Sequence, residues 1–463
     1  MRGATPPARA PALSRVEWVA LVLAVGIAHA FYARSLAYPS EYDARNYLDI
    51  ATDLARNGLF AKYFYSDLRT YGYPLFLRML KEVADALHVP WGLVIFETQL
   101  ALYAGVALFV RSRVATVSLP LARIVLVATL LNVVALVYVA DTLAEALSLV
   151  LMLVAVGCWV HLYAGGSRAW LAVAAGSLVL GAAVVVRPAN VFALPVWVVA
   201  LTALAWLRGW SGRDAVATAL VTVLAVTLPM LPQLANNVRH YGTWTPLVAA
   251  SLGRNQQIWG IAYLKYATAL PPIALPSIFY LNPYAKGRPV DEARPLAWYL
   301  EHPGAGAATL GLHVFGMLDQ DLLFTYARDL DPWYRRPLGI VTHGGIALAG
   351  LGFVLLASRA RRDRGYRATF VVLSTFCACY AALHAITAVE MRFGLPLLAV
   401  ALPLAVWFVR ETWPQRTMAS RAAIAAFVAA WIVASLALSD WMRAQATPIR
   451  DWEARGSAGG PRP

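Results

Sequence analysis

Residues 142–208 read TLAEALSLVLMLVAVGCWVHLYAGGSRAWLAVAAGSLVLGAAVVVRPANVFALPVWVVALTALAWLR. Three apolar runs stand in that stretch, at 142–163, 169–187 and 190–207, parted by a Gly-Gly-Ser-Arg link and an Arg-Pro hairpin. Each approaches the roughly 20 residues that a helix needs to cross hydrocarbon. In lipid the backbone must satisfy its own N–H and C=O groups, so such runs are helices. Charge enters only at their ends, as Glu145 near the first start and Arg187 at the second turn. The chain reads as an integral membrane protein.

The same pattern continues outward, at 17–36, 91–110, 121–139, 215–233, 338–357, 367–387, 392–410 and 420–438. The expected fold is all-α, with about eleven transmembrane helices, or twelve if residues 306–324 also cross. Composition agrees: of 463 residues, 60% are hydrophobic and 14% charged, against about a quarter charged in soluble domains. The net charge of +14 comes from arginine-rich loops, not from one surface interleaving basic and aromatic residues, so no nucleic-acid partner is expected. Cys158, Cys377 and Cys379 lie in apolar runs and read as small core residues. The histidines show no HExxH or HxxxH spacing, so no metal site is expected. Residues 1–15 read as a disordered cytoplasmic tail, 16–440 as the transmembrane domain and 441–463 as a polar C-terminal tail. Ala28-His29-Ala30 resembles a signal-peptidase site, but with membrane segments throughout, the first run reads as a retained anchor.

With the amino terminus inside and residues 306–324 not crossing, Arg111, Arg113, Arg168, Arg208, Arg213, the Arg359–Arg367 cluster, Arg410 and Arg416 share one side. The positive-inside rule makes that side cytoplasmic, in the inner (plasma) membrane of the cell. The segment 306–324 carries Asp319 and Asp321, costly in lipid, and reads as a re-entrant or interfacial helix. Two long outer segments remain, 37–90 and 234–337, and loops that long are usually functional.

The first outer segment predicts an amphipathic helix from Ser40 to Asn57, stopped by Gly58. Tyr47, Ile50, Ala51 and Leu54 form its apolar stripe, with Asp43 on the same stripe. An unpaired acid on a buried face is expensive, which suits a general base at a membrane-surface cleft. The competing reading is a capping box between Ser40 and Asp43. Arg69, just before a Gly-Pro turn, reads either as a phosphate ligand or as a snorkelling interfacial arginine. Asp141 and Glu145, four apart, are expected on one helix face at the outer start of the fourth span. The helix dipole alone accounts for Asp141, whereas Glu145 lies a turn deeper, where an ionisable group points to function. Arg187 needs an anionic partner, either Glu145 or a substrate phosphate. Glu390 and Arg392 place an acid and a base in another short outer hairpin. The expectation is that all seven meet at one membrane face.

These motifs, in this order, resemble those of the polytopic GT-C glycosyltransferases, especially bacterial relatives of protein O-mannosyltransferases and aminoarabinose transferases. Asp43, Tyr47 and Ala51 match the acid and "Y…A" helix of the family's first outer loop. Arg69 to Pro74 resembles its R-x-P-G-Y-P turn, with Tyr71 in place of proline. Thr142 and Glu145 match a "tE" span start, and Arg187-Pro188 an "R-P" hairpin. Asn236-Asn237-Val238-Arg239, Gly242, Pro246, Gly253 and Asn255 resemble a stretch that follows the seventh span. Glu390 to Pro396 is similar to a late E-x-R-Y-x-x-P, with Phe393 for tyrosine. Many relatives carry a second acid after the first, where this chain has Ala44, which weighs against a metal-dependent or acid-pair mechanism.

The resemblance implies an inverting transfer of a sugar from a polyprenyl-phosphate donor to a glycan, lipid or protein acceptor at the periplasmic face. It assigns the base role to Asp43 and donor-phosphate binding to Arg69, Arg187 and Arg392. Tyr47, Asp141, Glu145, Asn237, Arg239, Asn255 and Glu390 become supporting residues, and the lipid-linked donor is the one cofactor-like partner implied, with a divalent metal left open. Two rival readings remain, a transporter or flippase of lipid-linked sugars and a glycan polymerase or ligase. A transporter would show charges at the bilayer midplane and broken helices in paired positions; here the informative charges lie at span ends.

Overall fold

A computed structural model describes residues 11–36, 41–63, 67–166, 169–270, 273 and 277–447. Residues 1–10 of the expected tail, Ser40, Arg168 and residues 448–463 lie outside the described residues. The chain forms two compact units, residues 1–190 with 200–247, and residues 191–199 with 248–463.

The first unit carries α1 (Arg15–Ser35), α2 (Tyr42–Asn57), α3 (Gly72–Leu87), α4 (Trp91–Val114), α5 (Leu119–Leu130), α6 (Val133–Ala140), α7 (Ala144–Tyr163) and α8 (Ala169–Val186). It also takes the later part of α9 (Ala193–Arg208), then α10 (Gly212–Thr227) and α11 (Leu231–Tyr241). The second unit carries α12 (Leu252–Ala262), β1 (Tyr263–Ala269), β2 (Ser277–Leu281), α13 (Ala297–Glu301), α14 (Pro303–Leu318) and β3 (Tyr326–Ala327). It ends with α15 (Arg335–Ala360), α16 (Arg364–Ala385), α17 (Leu395–Thr412) and α18 (Met418–Arg443).

Among the described residues, ten helical segments are long and apolar enough to cross a membrane, and the pair α5 and α6 would make an eleventh despite a 51° bend. The bend has a local cause. Asn132 breaks the apolar run and its side chain accepts the Ala135 N–H at 3.2 Å, capping a new helix where α5 stops. The segment 306–324 is not among these spans. Its helix α14 has 16 residues, about 24 Å at ~1.5 Å per residue, short of the ~30 Å hydrocarbon.

One end of the first unit gathers the arginines. Glu17, fully buried, takes Arg111 Nε at 2.9 Å, while Arg111 also donates to Pro11 O at 2.6 Å. Arg208 donates to Leu162 O at 3.1 Å, and Arg113 reaches the His161 ring at 3.4 Å. The opposite ends of these same helices meet α2 and α3. The apolar cluster there joins Ala51, Tyr73, Leu77, Ile95, Leu147 and Val186. The stripe predicted on α2 is the face that packs, since Ile50, Ala51 and Leu54 are buried. Gly58 ends α2 at φ 82°, a conformation open mainly to glycine.

The second unit holds one departure from an all-helical reading, a small sheet in the order β2-β1-β3. β1 and β2 pair antiparallel from Tyr263 with Leu281 to Thr268 with Ser277. Leu264, Ala267, Ile278, Tyr280 and Leu322 pack beneath it with Met442 of α18.

Candidate functional site

Asp43 sits in the first turn of α2, and the residue before it, Tyr42, is held at φ 45°. That left-handed conformation is uncommon for a bulky residue, and it sets the start of the helix with no side-chain cap. Arg69 Nη2 donates to Asp43 Oδ1, and both side chains are about three-quarters buried. The Arg69 guanidinium lies 5.3 Å from the centre of the Tyr47 ring, a cation–π distance. Tyr47 in turn meets Tyr73 edge-on at 5.0 Å. So three residues singled out in the sequence, Asp43, Tyr47 and Arg69, form one contact group.

A polar path leads on from there. The Tyr73 hydroxyl donates to Gln99 Oε1 at 3.1 Å. Gln99 Nε2 donates to the carbonyls of Val139 at 3.0 Å and Asp141 at 2.9 Å. Gln99 is a buried amide in the middle of α4, and it ties Asp141 to the α2–α3 group. The sequence signal for it was a lone glutamine in an apolar run, which periodicity does not single out.

Asp141 corrects one expectation. It does not share a helix face with Glu145, because α6 ends at Ala140, Asp141 is extended at φ −98° and ψ 154°, and α7 starts at Ala144. Burial, with the nearby Glu145 carboxylate adding to it and Arg34 opposing, pushes the Asp141 carboxyl up to about 7. Glu145 is buried in the first turn of α7 and pairs with Arg187 Nη2 at 3.6 Å. Of the two partners expected for Arg187, the structure places Glu145 beside it. Asn190 holds the hairpin, donating to Ser148 Oγ and Ala183 O at 2.7 Å each.

Gly72 presses the start of α3 against the end of α8. A Cβ there would lie 2.5 Å from the Val185 carbonyl oxygen of α8, so only glycine lets the start of α3 press against the end of α8. The glycine was expected to make a turn; its use is close approach. Arg69 precedes that contact by three residues and Arg187 follows it by two.

The remaining candidates divide. Asn237 is fully buried and donates to the Thr245 and Leu247 carbonyls at 2.6 Å each, a loop-holding position. Arg239 is exposed on the last turn of α11, and Asn255 is exposed on α12. Glu390 and Arg392 belong to the second unit, where a fully buried Glu390 carboxylate lies 2.5 Å from Arg392 Nε. Gly394 beside them abuts the Met317 carbonyl so closely that a Cβ has no room. Among the described residues no group of three or more His, Cys, Asp or Glu side chains is arranged to hold a metal ion.

The second unit also contains an ionic cluster, of which only Asp319 and Asp321 drew notice in the sequence. Lys265 Nζ lies 2.5 Å from Asp321 Oδ1 and 3.5 Å from Asp319 Oδ2. Ser439 Oγ donates to Asp319 Oδ2 at 2.9 Å, and His343 Nε2 lies 3.2 Å from its Oδ1. Burial alone would lower the Lys265 ammonium, but the two carboxylates outweigh it and hold it above its ordinary value.

No family model matches the chain, and no curated protein matches it in sequence. Among solved structures, the apo form of the Archaeoglobus fulgidus oligosaccharyltransferase is similar over 93% of this chain, at a TM-score of 0.51 and 12% identity. The form of that enzyme tethered to an acceptor peptide containing an NVT sequon aligns over 92% of this chain, at a TM-score of 0.49 and 12% identity. The chain spans 56% of the length of the apo structure. The fold is that of a mainly helical, polytopic membrane protein, similar to that of the oligosaccharyltransferase.

Proposed function

We propose that this chain is a membrane glycosyltransferase that moves a sugar from a polyprenyl-phosphate carrier to an acceptor at the outer face of the membrane. The observation that carries the reading is the Asp43–Arg69 pair, set on the first long segment between spans and backed by Glu145–Arg187. Both pairs sit at the end of their unit opposite its arginine-rich end. The positive-inside rule assigns the arginine-rich end to the cytoplasm, and so the paired acids and bases to the outside.

The chemistry follows from the residue types. A donor phosphate arriving at Arg69 competes with the Asp43 carboxylate for the same guanidinium and releases it. Asp43 then accepts the proton of the acceptor hydroxyl as its oxygen bonds to the sugar C1. The C1–O bond to phosphate breaks in the same displacement, and polyprenyl phosphate departs. Fixed positive charge from Arg69 and Arg187 stabilises the charge that builds on the leaving phosphate. Inversion at C1 is the expected stereochemistry.

The test is made with purified protein in detergent, a radiolabelled polyprenyl-phosphate sugar and solubilised membranes as acceptor source. Label appearing in a product other than the donor, together with polyprenyl phosphate, supports the reading. Donor that survives unchanged, with movement of label only between compartments of sealed vesicles, replaces it with transport.

A further inference from the structure

The polar face of α11 holds both ends of the segment between α2 and α3. Gln233, Asn236, Asn237 and His240 recur at helical spacing, so they share one side of the helix. Asn236 Nδ2 donates to Leu59 O at 2.9 Å, and a ring nitrogen of His240 lies 2.9 Å from Phe60 O, just after α2 ends. Gln233 Oε1 accepts the buried Tyr71 N–H at 3.0 Å, just before α3 begins. The Tyr71 hydroxyl donates to the Pro229 carbonyl. Gln233 itself is held, because its Nε2 donates to Asn237 Oδ1 at 3.0 Å. Asn237 is fixed in turn by the Thr245 and Leu247 carbonyls.

We infer that Gln233 is a positioning residue, which sets Arg69 against Asp43 for the donor phosphate by anchoring the backbone two residues further along. The inference rests on the transferase reading above. Arg69 is followed by Thr70, buried, and Tyr71, whose buried amide N–H donates to Gln233 Oε1. With Tyr71 pinned on one side by Gln233 and Gly72 pressed against Val185 on the other, the Arg69 backbone has little freedom. The guanidinium then reaches Asp43 and Tyr47 from a fixed origin. Holding a phosphate ligand in one place contributes to binding of the donor and not of the acceptor.

Two variants separate this from general support of the fold. Gln233→Met keeps the volume and removes the acceptor, whereas Gln233→Glu keeps an acceptor for Tyr71 N–H and removes the donor to Asn237. Hydrogen–deuterium exchange at Tyr71 reads the contact itself. Gln233→Met is expected to speed that exchange by about tenfold or more, the scale of a buried amide losing its partner. The donor KM is expected to rise about tenfold, with the acceptor KM unchanged, and Gln233→Glu to restore most of both. If Gln233→Met does not fold, Gln233→Glu and Asn236→Ala carry the comparison: the former keeps Tyr71 protected, the latter frees only the Leu59 end. Unchanged exchange at Tyr71 in Gln233→Met, or faster exchange with an unaltered donor KM, overturns the inference. A wild-type protein without transfer activity would overturn the transferase reading, and exchange at Tyr71 then decides the anchoring by itself.

Discussion

Replacing Lys265 by methionine removes the cation from the buried cluster of the second unit. Lys265, Asp319 and Asp321 are each at least nine-tenths buried, and Lys265 Nζ touches Asp321 Oδ1 at 2.5 Å, Asp319 O at 2.8 Å and Asp319 Oδ2 at 3.5 Å. After the substitution Asp319 keeps Ser439 and His343 as neighbours. Asp321 keeps the Tyr280 hydroxyl, at 3.4 Å, and the more distant charge of Arg335. Breaking a buried pair from one side costs about 3–5 kcal/mol, because a charge is left buried without its partner. At ~2–4 °C per kcal/mol for a unit of this size, the thermal midpoint in detergent should fall by roughly 10 °C. Lys265 is held above its ordinary 10.5, so its contribution is complete below that value and lost only at higher pH. Asp319 is opposed by burial, yet Lys265 and His343 hold it below its ordinary 3.8, so its share is complete above that value and lost only in acid. The loss should shrink in acid, where a carboxylate left buried without Lys265 can take up a proton. Lys265→Met combined with Asp321→Leu should recover most of it, since apolar replacement of a whole buried pair is often neutral. A single variant melting with the wild type, or a double variant no better than the single, refutes the assignment of stability to these charges.

Gly72→Ala should lower both the midpoint and activity, since its Cβ would stand 2.5 Å from the Val185 oxygen and overpacking of this kind costs about 1–3 kcal/mol; an unchanged midpoint contradicts the close approach. Asp141 has a carboxyl raised from 3.8 to about 7, so the folded state binds its proton more firmly than the unfolded state. Stability from this group falls as pH rises through that window, and Asp141→Asn should gain over wild type with rising pH, as read by paired melting curves. In a cysteine-free background, Arg45→Cys should react with a membrane-impermeant maleimide in intact cells, and Arg361→Cys only after permeabilisation; both positions are exposed. The reverse pattern would put Asp43 on the cytoplasmic side.

The spans were legible because hydrocarbon imposes both length and apolarity on a helix, and the stretches from Ala144 to Arg208 follow the predicted runs within a few residues. The helix of Asp43 was legible too, since amphipathic spacing and Gly58 fix its face and its end. What escaped were contacts between distant segments. Gln99 bonds Tyr73, 26 positions away, and Gln233 bonds Tyr71, 162 positions away, and local spacing does not reveal such partners. The β1–β2 sheet escaped for the same reason, as did the role of Lys265, 54 residues from Asp319. Asp141 misled because a spacing of four implies a shared face only if the helix runs through both residues, and here the chain is extended between α6 and α7.

The central claim is that Asp43 takes the acceptor's proton while Arg69 holds the donor phosphate. Its most direct measurement is the single-turnover rate of polyprenyl phosphate release by wild-type and Asp43→Asn protein, with matched melting midpoints. A base of this kind contributes about 10²–10⁴-fold, so the variant should release product at least about a hundredfold more slowly. Equal rates in the two proteins would contradict the account.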